Sequence, residues 1–155
     1  MSELFNGLGM SMGNLSRLSN ARSRSISGEN RNGAKGGGGM ALPAPDGPAR
    51  DLGQGWKCHA HDSIAPGEVF SMAEIDGPGA IQSIWLTGSI SRFLILRIYW
   101  EHQQNPSVEC PIADFFAVPW LDSSQKTSQD QAYPRVNSLP VAVNPKSGLN
   151  CFWEM

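Results

Sequence analysis

Three apolar segments within residues 68–116 constrain the fold more than any other feature of this sequence. They cover residues 69–75, 80–87 and 93–100, and each is rich in β-branched and aromatic side chains. An Asp-Gly-Pro-Gly cluster separates the first two segments, and such clusters form turns because glycine permits positive φ while proline fixes φ. Runs of this length between turn residues predict strands rather than helices. We therefore predict an all-β domain with these three segments at its antiparallel centre.

The sequence divides into three regions by composition. Residues 1–18 place apolar side chains at intervals of three, four and seven, which predicts a short amphipathic helix, although its glycines each weaken it by roughly 1 kcal/mol. Residues 19–55 are rich in glycine, serine and arginine, which is typical of a loop and linker. Residues 56–155 contain the three apolar segments and two more predicted strands, at 139–143 and 149–153.

The low charge of the chain narrows the range of its partners. Its 155 residues carry a net charge of −2 and only 17% of them are charged, so nothing predicts binding to a nucleic acid. The three cysteines are far apart and form no CxxC pair, which gives no support for a zinc ribbon. Neither a secretory signal nor an apolar run of about 18 residues is recognised. We therefore expect a cytoplasmic protein that does not contact a membrane.

Residues 19–39 alternate arginine and lysine with serine, asparagine and glycine, and no apolar stripe would bury them. One interpretation is a flexible linker. The other is a ligand-facing loop, because planar guanidinium, amide and carboxylate groups suit hydroxyl-rich ligands. The candidate side chains for such a loop are Arg22, Arg24, Glu29, Asn30 and Asn32. A phosphate loop is not indicated, because the GxxxxGK[ST] pattern does not occur and no predicted helix follows the glycine run at 36–39.

Two histidines alternate within residues 56–64, a segment compatible with a short edge strand. His59 and His61 would face the same side of such a strand, and Asp62 follows them directly. Two imidazoles and one carboxylate can ligate a metal, but the sequence assigns no further ligand to them. We therefore predict a solvated strand face and no metal site.

Arg97 interrupts the most apolar of the three segments. A strand that is apolar on both faces is buried on both, and an arginine there needs a carboxylate partner. The candidate partners are Glu74, Glu109 and Asp114. Paired carboxylates also carry out glycoside hydrolysis, but the spacing of Glu109 and Asp114 does not predict their separation. A structural ion pair is the role that we predict for Arg97.

Several short motifs occur in a characteristic order along the chain. They are RSRSISGEN at 22–30, GWK at 55–57, AEIDGPG at 73–79 followed by Ile84 and Trp85, LRIYW at 96–100, PSVE at 106–109, DFF at 114–116 and NCFW at 150–153. Together and in this order they make the sequence resemble glycoside hydrolase family 172. The resemblance extends over nearly the whole chain.

This resemblance implies a double jelly roll, in which one protomer contains two β-sandwich domains and protomers assemble as trimers or hexamers. It implies retaining, exo-acting hydrolysis or transfer on furanosides such as fructofuranosides and arabinofuranosides, through two glutamates and without a metal or other cofactor. The chain resembles the N-terminal part of such a protein, so residues 56–155 are expected to form an incomplete jelly-roll sandwich. The catalytic glutamates are expected beyond Met155, Glu109 is interpreted as structural, and no catalytic residue is assigned here.

The same resemblance implies a sugar-holding role for this chain. Arg24, Glu29 and Asn30 are expected to bind furanose hydroxyls, and Trp85 or Trp153 is expected to present an apolar face to the ring, unless these tryptophans pack in the core. The expected partners are a furanose-containing oligosaccharide or glycan and further copies of this chain. Two alternatives stay open, because fold does not settle function. One is a non-catalytic jelly-roll assembly protein, and the other is a carbohydrate-binding module.

Overall fold

The computed structural model describes residues 5–9, 11–88, 92–119, 135–144, 148–152 and 155. The chain forms two compact units, residues 1–79 and residues 80–155. The elements are β1 (Ile84–Leu86), β2 (Ile95–Ile98), β3 (Val108–Pro111), α1 (Ile112–Phe115), β4 (Val136–Asn137), β5 (Val141–Asn144) and β6 (Gly148–Cys151). Strands dominate this set and every pairing is antiparallel, so the predicted all-β, jelly-roll-like class is confirmed. No helix of the described residues combines the length and apolar character needed to cross a bilayer.

The second unit contains a four-stranded sheet in the order β1-β6-β5-β4. Side chains alternate between the two faces of a strand. On β6 this alternation buries Leu149 and Cys151 and leaves Asn150 half-buried on the opposite face. Leu149 pairs with Val143 on β5, and Cys151 pairs with Val141. One face of the sheet is therefore apolar and belongs to the core.

The hairpin of β2 and β3 forms the other sheet of this unit, and the chain turns from it into α1. Pro111 ends β3 and has no N–H to continue the ladder, while its φ of −53° suits the start of a helix. The helix ends in a Schellman arrangement, in which Ala117 N–H donates to the Asp114 carbonyl and Val118 N–H donates to the Ala113 carbonyl. Ala117 adopts a left-handed φ of 58° to make this turn.

A single cluster of buried side chains joins these elements. Its members are Leu96, Ile112, Ala113, Phe115, Phe116, Val118, Val141, Val143, Leu149 and Cys151. Phe115 and Phe116 meet edge to face, with ring centroids 5.3 Å apart. All ten residues lie in the second unit, so burial of apolar surface stabilises that unit.

The described part of the first unit contains turns and two isolated bridges, with no helix or strand. One bridge joins Phe5 to Ser19, and the other joins Ser27 to Asn30. The predicted helix within residues 1–18 is therefore wrong for residues 5–9 and 11–18. Gly7 and Gly9 adopt φ of 86° and 62°, values that a right-handed helix cannot contain.

The predicted antiparallel centre is also wrong in its details. Residues 69–75 and 56–64 form no strand, although the other two segments contain β1 and β2. Val69 is 86% exposed, so its β-propensity has no packed surface to act on. β1 pairs with β6 and β2 pairs with β3, which places the two segments in different sheets.

We expect Phe116→Ala to lower the free energy of unfolding of the second unit by about 3–5 kcal/mol, because it removes a fully buried ring. Leu139→Ala is the control, since Leu139 is 94% exposed, and its effect should stay within about 0.5 kcal/mol. Urea denaturation followed by circular dichroism measures both changes. Equal losses for the two variants would contradict the core described above.

Candidate functional site

A groove of about 300 Å³ opens in the glycine- and serine-rich loop of the first unit. Its lining residues are Ser23, Arg24, Ser25, Ser27, Asn30, Gly33, Ala34, Lys35, Gly36 and Gly38. The loop contains a tight turn between Ser27 and Asn30, whose backbone groups exchange two hydrogen bonds of 3.0 and 3.1 Å. The groove therefore lies within the segment for which the sequence allowed either a linker or a ligand-facing loop.

The amide of Asn30 holds this loop together from the inside. Its Nδ2 donates to the carbonyls of Ser25 and Ala34, at 3.3 and 3.0 Å, and its Oδ1 accepts from Ala34 N–H at 3.1 Å. The loop backbone passes close above the amide at Gly37, where an added Cβ would lie 2.5 Å from Oδ1. Asn30 therefore lines the groove, but most of its hydrogen-bonding capacity is used by the loop backbone.

Glu29 connects the loop to residues 58 and 59. Its Oε1 accepts the backbone N–H of His59, and its Oε2 lies 3.9 Å from Sγ of Cys58. The Cys58 thiol also donates to the Ala41 carbonyl at 3.1 Å. Glu29 is half-buried and is not among the groove-lining residues. Its carboxylate thus anchors the loop, and its predicted contact with a sugar stays a prediction.

Arg24 and Lys35 are the two cations that line the groove, and both are exposed. Arg24 Nη1 donates to the carbonyl of Ser23 at 2.9 Å, which sets the direction of the guanidinium. No salt bridge among the described residues includes either cation. The sequence analysis did not name Lys35 as a candidate ligand-binding residue. Its position directly before the glycine run at 36–39 could have indicated it.

Asp62 forms an ion pair with Arg31 and a hydrogen bond with His59. The distance from His59 Nε2 to Asp62 Oδ1 is 2.8 Å, and the Arg31 guanidinium contacts Oδ2. The hydrogen bond from His59, helped by Arg31, lowers the pKa of Asp62 below its ordinary value of 3.8. Arg31 also stacks on the Phe70 ring, 4.8 Å from its centroid. Within the described ranges, no group of three or more potential metal ligands occurs.

The carboxylates of the second unit are also paired with cations. Arg97 Nε donates to Glu109 Oε2 at 2.6 Å across β2 and β3, so the prediction of an ion pair is confirmed with Glu109 as the partner. This hydrogen bond raises the pKa of Arg97. The expectation that Arg97 lies in a strand buried on both faces is wrong, because its side chain is 44% exposed. Arg92, which the sequence analysis missed, pairs with Asp114.

Trp85 lies on the outer face of the four-stranded sheet and is 54% exposed. The register places Trp85, Asn150, Ala142 and Asn137 in one row across the four strands. The indole rests against the backbone of Gly148, where an added Cβ would lie 2.6 Å from Nε1. Asn150 Nδ2 donates to the Ala142 carbonyl at 3.3 Å. This row, which we call the outer row, presents an aromatic ring beside the Asn150 amide, with the Asn137 amide at its other end.

The predicted sugar-binding residues fall in different parts of the chain. Arg24, Glu29 and Asn30 share the loop of the first unit, and Trp85 belongs to the second unit. Trp153 lies outside the described residues. The alternative of core packing is wrong for Trp85, because about half of its surface meets solvent.

Comparison with known proteins relates this chain to a family of glycoside hydrolases. Residues 57–127 match the family model described as GH172 domain-like. The resemblance to glycoside hydrolase family 172 is thereby confirmed over this segment. The segment contains Trp85 and Glu109, whereas the groove of the first unit precedes it. No curated protein matches the chain.

We expect Asn30→Ala to loosen the loop by about 1–2 kcal/mol, because the Ser25 and Ala34 carbonyls lose their side-chain donor and the Ala34 N–H keeps only the Oδ1 of Asn32. Hydrogen exchange of the Ala34 amide, followed by NMR, should accelerate roughly tenfold. Asn14→Ala is the matched control, since among the described residues its amide bonds to residues 9 and 11, and it should leave Ala34 unchanged. Unchanged exchange in Asn30→Ala would contradict the role given to this amide.

We expect the carboxyl of Asp62 to titrate below pH 3.8 in an NMR titration, and to move toward 3.8 in His59→Ala and in Arg31→Ala. Because folding lowers this pKa, the stabilisation is present above pH 3.8 and is lost as pH falls through the folded value. Arg50→Ala removes an exposed arginine that pairs with Asp51 and should leave the Asp62 titration unchanged. A midpoint at or above 3.8 in the unmodified chain would refute the ion pairs described here.

Proposed function

We propose, from the relation of residues 57–127 to glycoside hydrolase family 172, that this chain holds the sugar in a furanoside-active hydrolase or transglycosylase. The substrates proposed are fructofuranosides or arabinofuranosides, processed with retention of configuration. We further propose that the chain by itself does not hydrolyse them. The observation that carries the proposal is the family match, since it ties the fold to glycoside chemistry.

The outer row supports a role in holding a sugar. A tryptophan face is apolar and matches the C–H face of a sugar ring, while neighbouring amides can both donate to and accept from hydroxyls. Trp85 is half-exposed and lies against Gly148, and Asn150 is its register partner on the neighbouring strand. These groups are uncharged, which suits a neutral glycan.

The groove of the first unit supports the same role through different chemistry. Arg24 offers several N–H donors in a fixed plane, and serine hydroxyls stand beside it. Asn30 and Glu29 hold the loop in place, so that these donors lose little conformational freedom on binding. We propose that Arg24 contacts the ligand directly, with Asn30 and Glu29 beside it in the loop.

The pairing of the carboxylates supports the proposed lack of hydrolysis. A retaining glycosidase needs two carboxyl groups about 5–5.5 Å apart, one as nucleophile and one as a general acid whose pKa is raised. Glu109 is bound by Arg97, Asp114 by Arg92, and Asp62 by His59 and Arg31. The pKa of Asp62 is lowered, which is the opposite of what a general acid requires.

Self-association forms part of the proposal. Several apolar side chains remain exposed, among them Leu18 at 86%, Val69 at 86% and Leu139 at 94%. Exposed apolar surface favours association with further protein. We therefore propose that the chain functions as a homo-oligomer.

We expect calorimetric titration of the full chain with methyl fructofuranoside and methyl arabinofuranoside to show binding that Trp85→Ala weakens about tenfold, a loss of about 1.4 kcal/mol. Trp56→Ala is the matched control, because Trp56 is 59% exposed but lies outside the outer row. The same chain should release no p-nitrophenol from p-nitrophenyl furanosides.

Three results would count against the proposal. Equal affinity for furanosides and for the corresponding pyranosides would remove the furanoside assignment. An equal loss in Trp85→Ala and Trp56→Ala would remove the outer row from the site. Clear turnover of a p-nitrophenyl furanoside would show that catalytic carboxylates are present in this chain.

A further inference from the structure

We infer that the groove of the first unit is an oxyanion site, which takes the phosphate or carboxylate group of an anionic sugar. The sugar part of this inference rests on the proposed function, whereas the oxyanion part stands on the groove alone. The resemblance to glycoside hydrolase family 172 does not by itself imply a charged ligand. The inference comes from the charges, hydroxyls and rigidity of the lining residues.

The lining carries two positive charges and no negative one. Arg24 and Lys35 both line the groove, and no aspartate or glutamate does. This local excess contrasts with the net charge of −2 for the whole chain. Two cations beside one small cavity repel each other unless an anion lies between them. An oxyanion bound there would accept charge-assisted hydrogen bonds, which are about twice as strong as neutral ones.

The carboxylates of Glu29 and Asp62 are already engaged with partners outside the groove. Glu29 accepts the backbone N–H of His59, and Asp62 is bound by His59 and Arg31. Arg31 is thereby paired with a carboxylate, unlike the two cations of the groove. Within the part of the chain that the structure describes, neither Arg24 nor Lys35 has a carboxylate partner. Their charges are thus available for an external ligand.

The remaining lining groups suit an oxyanion as well. Ser23, Ser25 and Ser27 line the groove beside Arg24, and a hydroxyl can donate to phosphate or carboxylate oxygen. The Asn30 amide fixes Ser25 and Ala34 relative to each other, so the groove is formed before the ligand arrives. A preformed site loses less conformational entropy on binding than a flexible linker would.

The test is calorimetric titration of the full chain with inorganic phosphate at low ionic strength. We expect binding, and about tenfold weaker binding in Arg24→Ala and in Lys35→Ala. Arg50→Ala is the matched control, since it removes one exposed arginine outside the groove, and it should bind phosphate as the unmodified chain does. Circular dichroism should show the same spectrum for all variants, because the three side chains are exposed.

A second set of titrations identifies the source of the oxyanion. The ligands are one furanose sugar, its phosphate ester and the sugar acid with the same carbon skeleton. Binding of either charged form at least tenfold more tightly than the neutral sugar, lost in Arg24→Ala, would support the inference and name the anion. Equal binding of charged and neutral forms would overturn it, as would an Arg50→Ala loss equal to that of Arg24→Ala.

The two proposals fail in different ways. If phosphate binds in an Arg24-dependent manner while no furanoside binds, the oxyanion site stands and the proposed function falls. The opposite outcome is that furanosides bind in a Trp85-dependent manner, while phosphate and the charged sugars bind the unmodified chain no more tightly than they bind Arg24→Ala. In that case the proposed function stands and the oxyanion site falls.

Discussion

Burial of Leu149 and Cys151 on one side of β6 decides which residues of the four-stranded sheet meet solvent. Both side chains lie in the core, and β6 has a partner strand on each side, so their orientation sets the register of β1 and β5. A slip of one residue would turn every side chain of β6 to the other face. The outer row of Trp85, Asn150, Ala142 and Asn137 therefore faces away from the core, because the residues on either side of Asn150 along β6 must be buried.

The first unit relies on a different interaction. None of its described residues contributes to the core cluster, and polar contacts hold its loop instead. The Asn30 amide bonds three backbone groups, and the Glu29 carboxylate bonds the N–H of His59. Hydrogen bonds exposed to water contribute little net stability each, so such a loop depends on several acting together. The positive φ of Gly33 and Gly36 lets the backbone make these turns without steric strain.

The distribution of charge separates the two units chemically. In the second unit two of the three described arginines are paired with carboxylates, Arg97 with Glu109 and Arg92 with Asp114. Exposed pairs of this kind contribute little to stability, because water screens the charges and two long side chains must be ordered. In the first unit Arg24 and Lys35 remain unmatched within the described residues. These two cations line one groove that has no carboxylate in its lining.

Local sequence patterns were sufficient to predict the all-β class, the loop character of residues 19–39, and the relation to a glycoside hydrolase family through motifs in a fixed order. These three predictions follow from local properties, because a run of β-branched residues, a glycine-rich segment or a short motif is recognised from a few neighbouring residues. The three-dimensional structure was needed to establish that Ile84 pairs with Cys151, that Glu109 is the partner of Arg97, and that residues 69–75 form no strand. The helix predicted within residues 1–18 is wrong for the same reason. The spacing of apolar residues is a local pattern, and it does not reveal that two glycines adopt a left-handed φ that excludes a helix. Strand pairing, burial and ion pairing depend on contacts between segments far apart in the chain, and no local pattern contains that information.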